Sequence, residues 1–206
     1  MARIFLDVGA NTGQTLKAVL DPAFSFDQVF CFEPVRSCWT ELQRLAFERK
    51  WSTSVFIKPY GLWNKTECVT IYGPGNKGAS LWKKDNHPKW APTELCSFIR
   101  ASDWFKEYIN DSDAVYMKLN CEGAECDILD DLLDSGEFRK VAYAMVDFDV
   151  RKIESQKHRE AEIRARLDRE GIGFPRIAFS KDVMKGDTHQ ERIKSWLAVI
   201  EANRYE

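Results

Sequence analysis

The sequence predicts an α/β fold built on a doubly wound, mostly parallel sheet of about seven strands, with helices on both faces. Short apolar runs typical of buried strands alternate with helical segments along the 206 residues. Hydrophobic residues make up 44% and charged residues 30%, which is ordinary for a globular chain with a sizeable core. Polar side chains end several of the apolar runs, at Asp7, Glu33, Asn120 and Asp147. Parallel sheets bind ligands at the carboxyl ends of their strands, so these side chains mark a candidate site.

The first part of the chain contains three strand segments and two helical segments. The strands are expected at residues 4–6, 29–32 and 55–57, and the helices at 14–20 and from 39 to about 50. Pro22 follows the first helix, where it would end the helical pattern.

The middle of the chain is expected to combine a hairpin, a long loop and a short helix. Residues 69–72 are rich in β-branched and aromatic side chains, and we expect them to pair with residues near 60–63. Residues 73–92 contain Gly and Pro and are expected to form a loop long enough to be functional. Ser102 or Asp103 is expected to cap a short helix that runs through Tyr108.

The last third of the chain continues the alternation of strands and helices. Strands are expected at residues 114–119 and 141–146, and helices at 124–133 and 153–170. Thr188 and Glu191 have the spacing of a capping box, which predicts the start of a final helix. Residues 196–200 fit that helix, although their composition is compatible with a strand as well.

Composition disfavours several classes of protein. The net charge of −2 is a poor match to a nucleic-acid-binding surface. The six cysteines contain no CxxC pair, so reduced and mostly buried thiols are expected rather than a zinc site or a disulfide framework. No segment approaches the ~20 apolar residues of a membrane span. A strand-like run begins at the N-terminus in place of a signal peptide, so we expect a cytoplasmic protein.

The loop after the first strand has the pattern of a ligand-binding turn. Gly9 would allow a tight turn, and Gly13 would let the following helix pack closely. The amides at the start of that helix favour a carboxylate or a phosphate. Asp7 is expected to hold the loop amides and, directly or through a water, a cationic amine.

Glu33 follows the second strand, twenty residues after Gly13. A carboxylate at this place accepts hydrogen bonds from ribose hydroxyls in dinucleotide-binding folds. The loop lacks the GxGxxG spacing, and the acid before its first glycine favours S-adenosyl-L-methionine over a nicotinamide cofactor. A glycine-rich turn without a ligand is the plain alternative, and a nicotinamide-dependent oxidoreductase is a rival function.

Several sequence blocks resemble the FkbM-type methyltransferases. The most specific block is 117–125, MKLNCEGAE, where that family typically has Lys-x-Asp-x-Glu-Gly-Ala-Glu. The other blocks are residues 4–16, 32–34, 61–64 and 78–80. The resemblance runs from residue 3 to about residue 135, which is roughly two thirds of the chain.

The resemblance implies a Rossmann-like class I methyltransferase fold and S-adenosyl-L-methionine as the methyl donor. It also implies transfer to a hydroxyl oxygen, often of a sugar in a glycan or of a natural product. Residues 1–206 would then form a single methyltransferase domain, which could be one part of a larger enzyme that contains glycosyltransferase domains. The cofactor residues expected on these grounds are Asp7, Gly9, Ala10, Asn11, Thr12, Gly13, Gln14, Thr15, Glu33, Pro34, Gly61, Leu62 and Asn120.

Candidates for the chemistry lie at or just after the ends of the strands predicted at residues 114–119 and 141–146. They are Lys118, Asn120, Glu122, Asp147 and Asp149. A sugar hydroxyl must lose a proton as it attacks the methyl group, which requires a base at these strand ends. Each residue has a plain alternative as an ion-pair partner, a helix-start acid or a strand-end carboxylate. Asn120 replaces the Asp of the family pattern, and an amide cannot act as a base.

A divalent metal is possible but not favoured. Glu122, Asp147 and Asp149 could supply oxygen ligands, whereas the amide at position 120 is a weak one. The long loop offers a second group of candidates that could contact an anionic sugar, or could be scattered exposed side chains. These are Trp82, Lys83, Lys84, His87, Lys89 and Trp90.

Two further functions are compatible with the sequence. A cofactor-binding domain without catalysis could position a partner domain, and a natural-product methyltransferase would differ only in its acceptor. A nucleic-acid methyltransferase is disfavoured, because the chain lacks the Asn/Asp-Pro-Pro-Tyr/Phe motif.

Overall fold

A computed structural model describes residues 1–47, 53–74, 79–82, 92–183 and 185–203. In these residues the strands are β1 (Arg3–Val8), β2 (Gln28–Phe32), β3 (Ser54–Lys58), β4 (Gly61–Trp63), β5 (Glu67–Tyr72), β6 (Thr93–Arg100), β7 (Ala114–Leu119), β8 (Val141–Val146) and β9 (Ile177–Phe179). The helices are α1 (Gln14–Val19), α2 (Arg36–Phe47), α3 (Ala101–Tyr108), α4 (Glu125–Asp134), α5 (Arg159–Arg169), α6 (Ser180–Val183) and α7 (His189–Asn203).

The main sheet has six parallel strands in the order β3-β2-β1-β7-β8-β9. The chain runs outward from β1 through β2 to β3 and later returns to β7 on the other side of β1, a strand order typical of dinucleotide-binding folds. The sequence predicts about seven strands, and six are present in this sheet among the described residues. Residues 196–200, which could have added a strand, belong to α7, where Trp196, Leu197 and Ile200 are buried.

Helices cover both faces of this sheet, which confirms the predicted α/β class. On one face the core contains Trp104 of α3, Leu129 of α4 and Leu167 of α5. On the other face it contains Leu16 of α1, Leu42 of α2 and Trp196 of α7. Strands buried on both sides have near-continuous apolar sequences, as the runs at residues 4–6 and 29–32 do.

A second, three-stranded sheet has the order β4-β6-β5. The predicted hairpin between residues 69–72 and 60–63 is wrong, because β5 pairs antiparallel with β6 and β4 pairs parallel with β6. The reason is burial. Ile71 of β5 joins Cys96 and Phe98 of β6 in a small apolar cluster that a β4–β5 hairpin would not form.

The start of α3 also differs from the prediction. The helix begins at Ala101, and neither Ser102 nor Asp103 caps it with its side chain. Asp131 of α4 has that role instead, since its carboxylate accepts a hydrogen bond of 2.7 Å from the Ser102 amide. The cap therefore comes from a neighbouring helix, which the local sequence does not reveal.

The C-terminal third contains one shortened helix and one additional strand. α5 begins at Arg159 rather than 153, because a 3-10 turn at Val150–Lys152 and further turns precede it. The sequence pattern does not predict β9. The capping box is confirmed, since the Thr188 amide donates to Glu191 at 2.9 Å and the Glu191 amide donates to the Thr188 hydroxyl at 3.2 Å.

Among the helices of the described residues, none combines the length and the apolar character needed to cross a bilayer.

Candidate functional site

A cavity of about 290 Å³ lies at the carboxyl ends of β1, β2 and β7. Its polar end is formed by the loop after β1, the start of α1, the end of β7 with the residues that follow it, and the start of α7. Its apolar end is formed by side chains from the small sheet, α2 and adjoining loops. The residues of the polar end are Gly9, Ala10, Asn11, Gln14, Thr15, Lys118, Asn120, Glu122 and His189. The residues of the apolar end are Val35, Cys38, Leu62, Ile71, Ala79, Leu81 and Phe98. Glu33 and Pro34 follow β2 and border the same cavity.

Two glycines shape the polar end because neither position has room for a side chain. Gly9 has a φ of 79°, and a Cβ atom there would lie 2.1 Å from the carbonyl oxygen of Asn120. Gly13 has a φ of 85°, and its Cβ would lie 2.6 Å from Leu45 Cδ1. The amides of Gly9 and Ala10 both donate to the Phe32 carbonyl. The loop after β1 is thus held tightly between its neighbouring strands.

Asp7 does not hold the loop amides, contrary to the prediction. Its carboxylate is fully buried and forms an ion pair with Lys118, Oδ1 to Nζ 3.0 Å. The cause is the strand register, which sets Asp7 of β1 opposite Lys118 of β7. The Lys118 ammonium in turn donates to the Gly9 carbonyl at 2.8 Å. Lys118 therefore fixes the loop, and the Asp7 carboxylate balances its charge.

Glu33 connects the loop to the second strand. Its carboxylate accepts hydrogen bonds from the amides of Asn11, at 2.8 Å, and Val35, at 2.9 Å. Burial raises the pKa of Glu33 to about 6, although both amide bonds favour the charged form. The carboxylate borders the cavity between its two ends, so it can still accept hydrogen bonds from a ligand.

Asn120 and Asp149 form a partly buried pair after β7 and β8. The Asn120 side-chain amide donates to Asp149 Oδ2 at 2.9 Å, and Lys152 Nζ lies 2.6 Å from Asp149 Oδ1. Asp149 is 2% exposed and does not border the cavity, whereas Asn120 does. Asp149 therefore contacts a residue that borders the cavity, Asn120, without bordering the cavity itself.

Glu122 borders the cavity from a strained turn. Its φ of 55° lies in the left-handed region, which is uncommon for a residue other than glycine. The Ser80 hydroxyl donates to the Glu122 carbonyl at 2.6 Å, and Lys152 Nζ lies 3.8 Å from the Glu122 carboxylate. Backbone strain of this kind is common at functional sites.

Glu125 stabilises the same turn. One carboxylate oxygen accepts from the amides of Cys121, at 2.9 Å, and Gly123, at 3.1 Å. Burial, together with the nearby Asp149 carboxylate, raises the pKa of Glu125 to about 7, although the backbone amides favour the charged form. Glu125 is fully buried, so it supports the turn rather than the ligand.

Asp147 does not border the cavity. Its carboxylate accepts from the Arg151 guanidinium at 2.9 Å and from the Ser180 hydroxyl at 2.8 Å. These contacts fasten the ends of β8 and β9 to each other. Both contacts are of the kind expected for a strand-end carboxylate, the plain alternative for Asp147.

His189 borders the cavity although the sequence pattern does not single it out. It is the first residue of α7, and its Nε2 lies 2.9 Å from the Thr15 hydroxyl. Burial lowers its pKa, and the Lys118 charge lowers it further, which favours a neutral imidazole. The capping box at Thr188 predicts where α7 begins, but no local signal shows that its first side chain faces a loop 174 residues earlier.

Most of the residues predicted for cofactor binding or for catalysis border the cavity, and a few do not. The predicted residues that border it are Gly9, Ala10, Asn11, Gln14, Thr15, Glu33, Pro34, Gly61, Leu62, Lys118, Asn120 and Glu122. The predicted residues that do not border it are Asp7, Thr12, Gly13, Asp147 and Asp149. The Thr12 amide donates to the Asn11 side chain at 2.8 Å, which helps to shape the loop.

The predicted loop cluster is only partly described. The Trp82 amide donates to the Ser80 hydroxyl at 3.2 Å, and the Trp82 ring lies beside Gly123. Lys83, Lys84, His87, Lys89 and Trp90 lie outside the described residues, as does Gly78. In the described part of the chain no three His, Cys, Asp or Glu side chains are grouped as metal ligands.

Among solved structures, the chain is similar to the methyltransferase FkbM from Methylobacillus flagellatus KT. The sequence identity is 20% and the TM-score is 0.43. The similarity covers 65% of this chain and 30% of the other, so this chain spans less than a third of that protein. No family model matches the chain, and no curated protein matches it.

Proposed function

We propose that this chain binds S-adenosyl-L-methionine in the cavity and is a methyltransferase of the FkbM type. One observation carries the proposal. The buried Glu33 carboxylate borders the cavity between an apolar end and a glycine loop. A ligand that joins an apolar base, a diol and an amino acid matches these three environments in that order.

The residues of the cavity fit the parts of this cofactor. The adenine would lie against Leu62, Ile71 and Phe98, which are buried apolar side chains. The ribose hydroxyls would donate to Glu33, whose carboxylate oxygens have further lone pairs. The amino-acid portion would lie beside Gly9, where any side chain would fill the space next to Asn120.

The acceptor in this proposal is a hydroxyl of a sugar, in a glycan or a glycosylated metabolite. The bound sulfonium supplies an electrophilic methyl group, so the chain has to align the hydroxyl and accept its proton. Of the acids predicted for this step, Glu122 borders the cavity, whereas Asp147 and Asp149 do not. We assign the proton to Glu122, with Lys152 compensating its charge.

The proposal extends to partners and compartment. The resemblance of the sequence blocks implies an enzyme that acts on glycans, so associated glycosyltransferase domains are part of the proposal. We expect a cytoplasmic setting, in which the cofactor and reduced thiols are both maintained.

Calorimetry and a transfer assay test this function in sequence. Adenosylmethionine and adenosylhomocysteine should bind the wild-type chain with micromolar dissociation constants, and Glu33→Ala should weaken both by at least about tenfold. Methyl transfer from labelled adenosylmethionine to a panel of glycans should then fall in Glu122→Gln, while cofactor binding stays unchanged. Failure of both ligands to bind at millimolar concentration would rule the proposal out.

A second candidate is a cofactor-binding domain without catalysis. It is supported by the engagement of the acids at the strand ends, since Asp147 pairs with Arg151 and Asp149 pairs with Lys152. Under this alternative the cofactor binds, yet Glu122→Gln leaves every transfer reaction of the full protein unchanged.

A further inference from the structure

The pair formed by Asn120 and Asp149 has a defined polarity. Asp149 is 2% exposed, and its two carboxylate oxygens contact the Asn120 amide nitrogen and the Lys152 ammonium. An ionised carboxylate can only accept hydrogen bonds. The NH₂ group of Asn120 must therefore face Asp149, and an amide that is otherwise free to flip is fixed in one orientation.

This orientation decides what Asn120 offers to a ligand. With its nitrogen turned to Asp149, the remaining polar atom of the side chain is Oδ1, an acceptor. Asn120 borders the polar end of the cavity. The Asn120 backbone is also close to the loop after β1. Its carbonyl leaves no room for a Cβ atom at Gly9, and its backbone N–H donates to the Val8 carbonyl.

The order of strands says which part of a ligand would meet this acceptor. Glu33 follows β2, and the apolar end lies on the β2 and β4 side of the cavity. Asn120 follows β7, on the other side of β1. A ligand whose ribose lies at Glu33 and whose base lies at the apolar end would extend its opposite end towards Asn120.

We propose that Asp149 is a positioning residue that turns the Asn120 side chain so that Oδ1 accepts a hydrogen bond from the ammonium of the cofactor's amino-acid portion. The inference rests on the proposed function. Position 120 carries an amide, and Asp149 places a carboxylate oxygen 2.9 Å from the nitrogen of that amide. Lys152 Nζ lies 2.6 Å from Asp149 Oδ1 and balances the charge of that carboxylate.

Two ligands separate this role from simple support of the fold. Adenosylhomocysteine contains the ammonium, and methylthioadenosine lacks the whole amino-acid portion. Asp149→Leu should raise the dissociation constant of adenosylhomocysteine about tenfold or more, because a charge-assisted orientation is lost. Binding of methylthioadenosine should stay within about twofold of wild type. Asp149→Asn keeps the size and an acceptor oxygen, and should retain most of the adenosylhomocysteine affinity.

A charge exchange provides a second readout. Asn120→Asp would set two carboxylates against each other, so one of them should stay protonated to a higher pH than an ordinary Asp. Its ionisation adds a negative charge beside the ligand's ammonium, so adenosylhomocysteine should bind more tightly as pH rises from about 6 to about 8.5. The double variant Asn120→Asp with Asp149→Asn restores one donor and one carboxylate, and should bind at least as tightly as wild type without that added pH dependence. The other titratable groups around the pair are Lys118, Cys121, Glu122, Glu125, Asp147 and Lys152.

The outcomes distinguish the two proposals. If wild type binds neither ligand, the proposed function fails and this inference fails with it. If wild type binds both, but Asp149→Leu weakens both equally or neither, only the positioning role is overturned. A double variant that behaves like Asn120→Asp alone would overturn it as well.

Discussion

The two ends of the cavity are built in different ways. The polar end depends on backbone positions and on ion pairs between the central strands, as at Gly9 and between Asp7 and Lys118. The apolar end is a packed surface of side chains from the small sheet, including Ile71 and Phe98. Substitutions at the polar end should therefore cause large losses of stability or ligand affinity. Substitutions at the apolar end should weaken ligand binding in proportion to the apolar side-chain area that they remove.

The largest effect is expected from the buried ion pair. Lys118→Met leaves Asp7 buried without its partner, and we expect a loss of about 3 to 5 kcal/mol in the free energy of unfolding. Arg139→Ala is the matched control, because its pair with Asp111 is exposed, and it should cost less than about 1 kcal/mol. Urea denaturation of both variants measures the difference. Equal losses would show that the polar end does not depend on this pair.

The next effect concerns the loop itself. Gly9→Ala forces a methyl group against the Asn120 carbonyl, so adenosylhomocysteine should bind about 100-fold more weakly or not at all. Gly136→Ala is the control, since Gly136 has a similar φ of 76° but no atom within 4 Å of the place that its Cβ would occupy. It should lose only about 1 kcal/mol of stability and keep its affinity. Calorimetry that finds both variants binding normally would contradict this account of the loop.

A smaller effect is expected at the apolar end. Ile71→Ala should raise the dissociation constants of adenosylhomocysteine and methylthioadenosine by the same factor, about tenfold, because both contain adenine. Val69→Ala, on the same strand but outside the cavity, should leave both unchanged. A loss confined to adenosylhomocysteine would place the amino-acid portion, not the base, against Ile71.

The smallest effect is a pH dependence that arises from Glu33. Ribose hydroxyls donate to the charged carboxylate, so the affinity for adenosylhomocysteine should fall several-fold as pH drops below about 6, the pKa of Glu33. Glu33→Gln should remove this dependence. Calorimetry between about pH 5 and about pH 7.5 measures it, and an unchanged slope in the variant would assign the effect to another group.

Stability should respond to Glu33 with the opposite sign. Its folded-state pKa of about 6 is above the ordinary value of 4.5, so folding favours the protonated form. The resulting stability is fully present below pH 4.5 and is lost as pH rises through about 6. Lowering the pH below about 6 should therefore weaken ligand binding through Glu33 while it increases the contribution of Glu33 to the stability of the fold.

The contrast between the two ends also explains how much the sequence reveals. The fold class, the β1 loop and Glu33 follow from local spacing, because a strand, a glycine turn and a helix are consecutive in the chain. The contact predicted between Asp7 and the loop amides is nonetheless wrong. Its partner, Lys118, lies on a strand much later in the chain, and only the register of β1 and β7 brings the two side chains together.

The apolar end could not be predicted in the same way. The sequence pattern does not identify residues 93–100 as a strand, and it assigns β5 the wrong partner, because pairing depends on which faces become buried together. His189 and the Asn120–Asp149 pair depend on contacts between distant segments. Asn120 and Asp149 are candidates from the sequence alone, but their hydrogen bond is visible only in the fold.

The orientation of the ligand tests the central claim most directly. A crystal structure with adenosylhomocysteine should show the adenine against Ile71 and Phe98, the ribose hydroxyls on Glu33, and the ammonium at Asn120. Each end of the cavity would then hold the part of the ligand that its chemistry suits. A ligand bound in the reverse direction, or outside this cavity, would contradict the account.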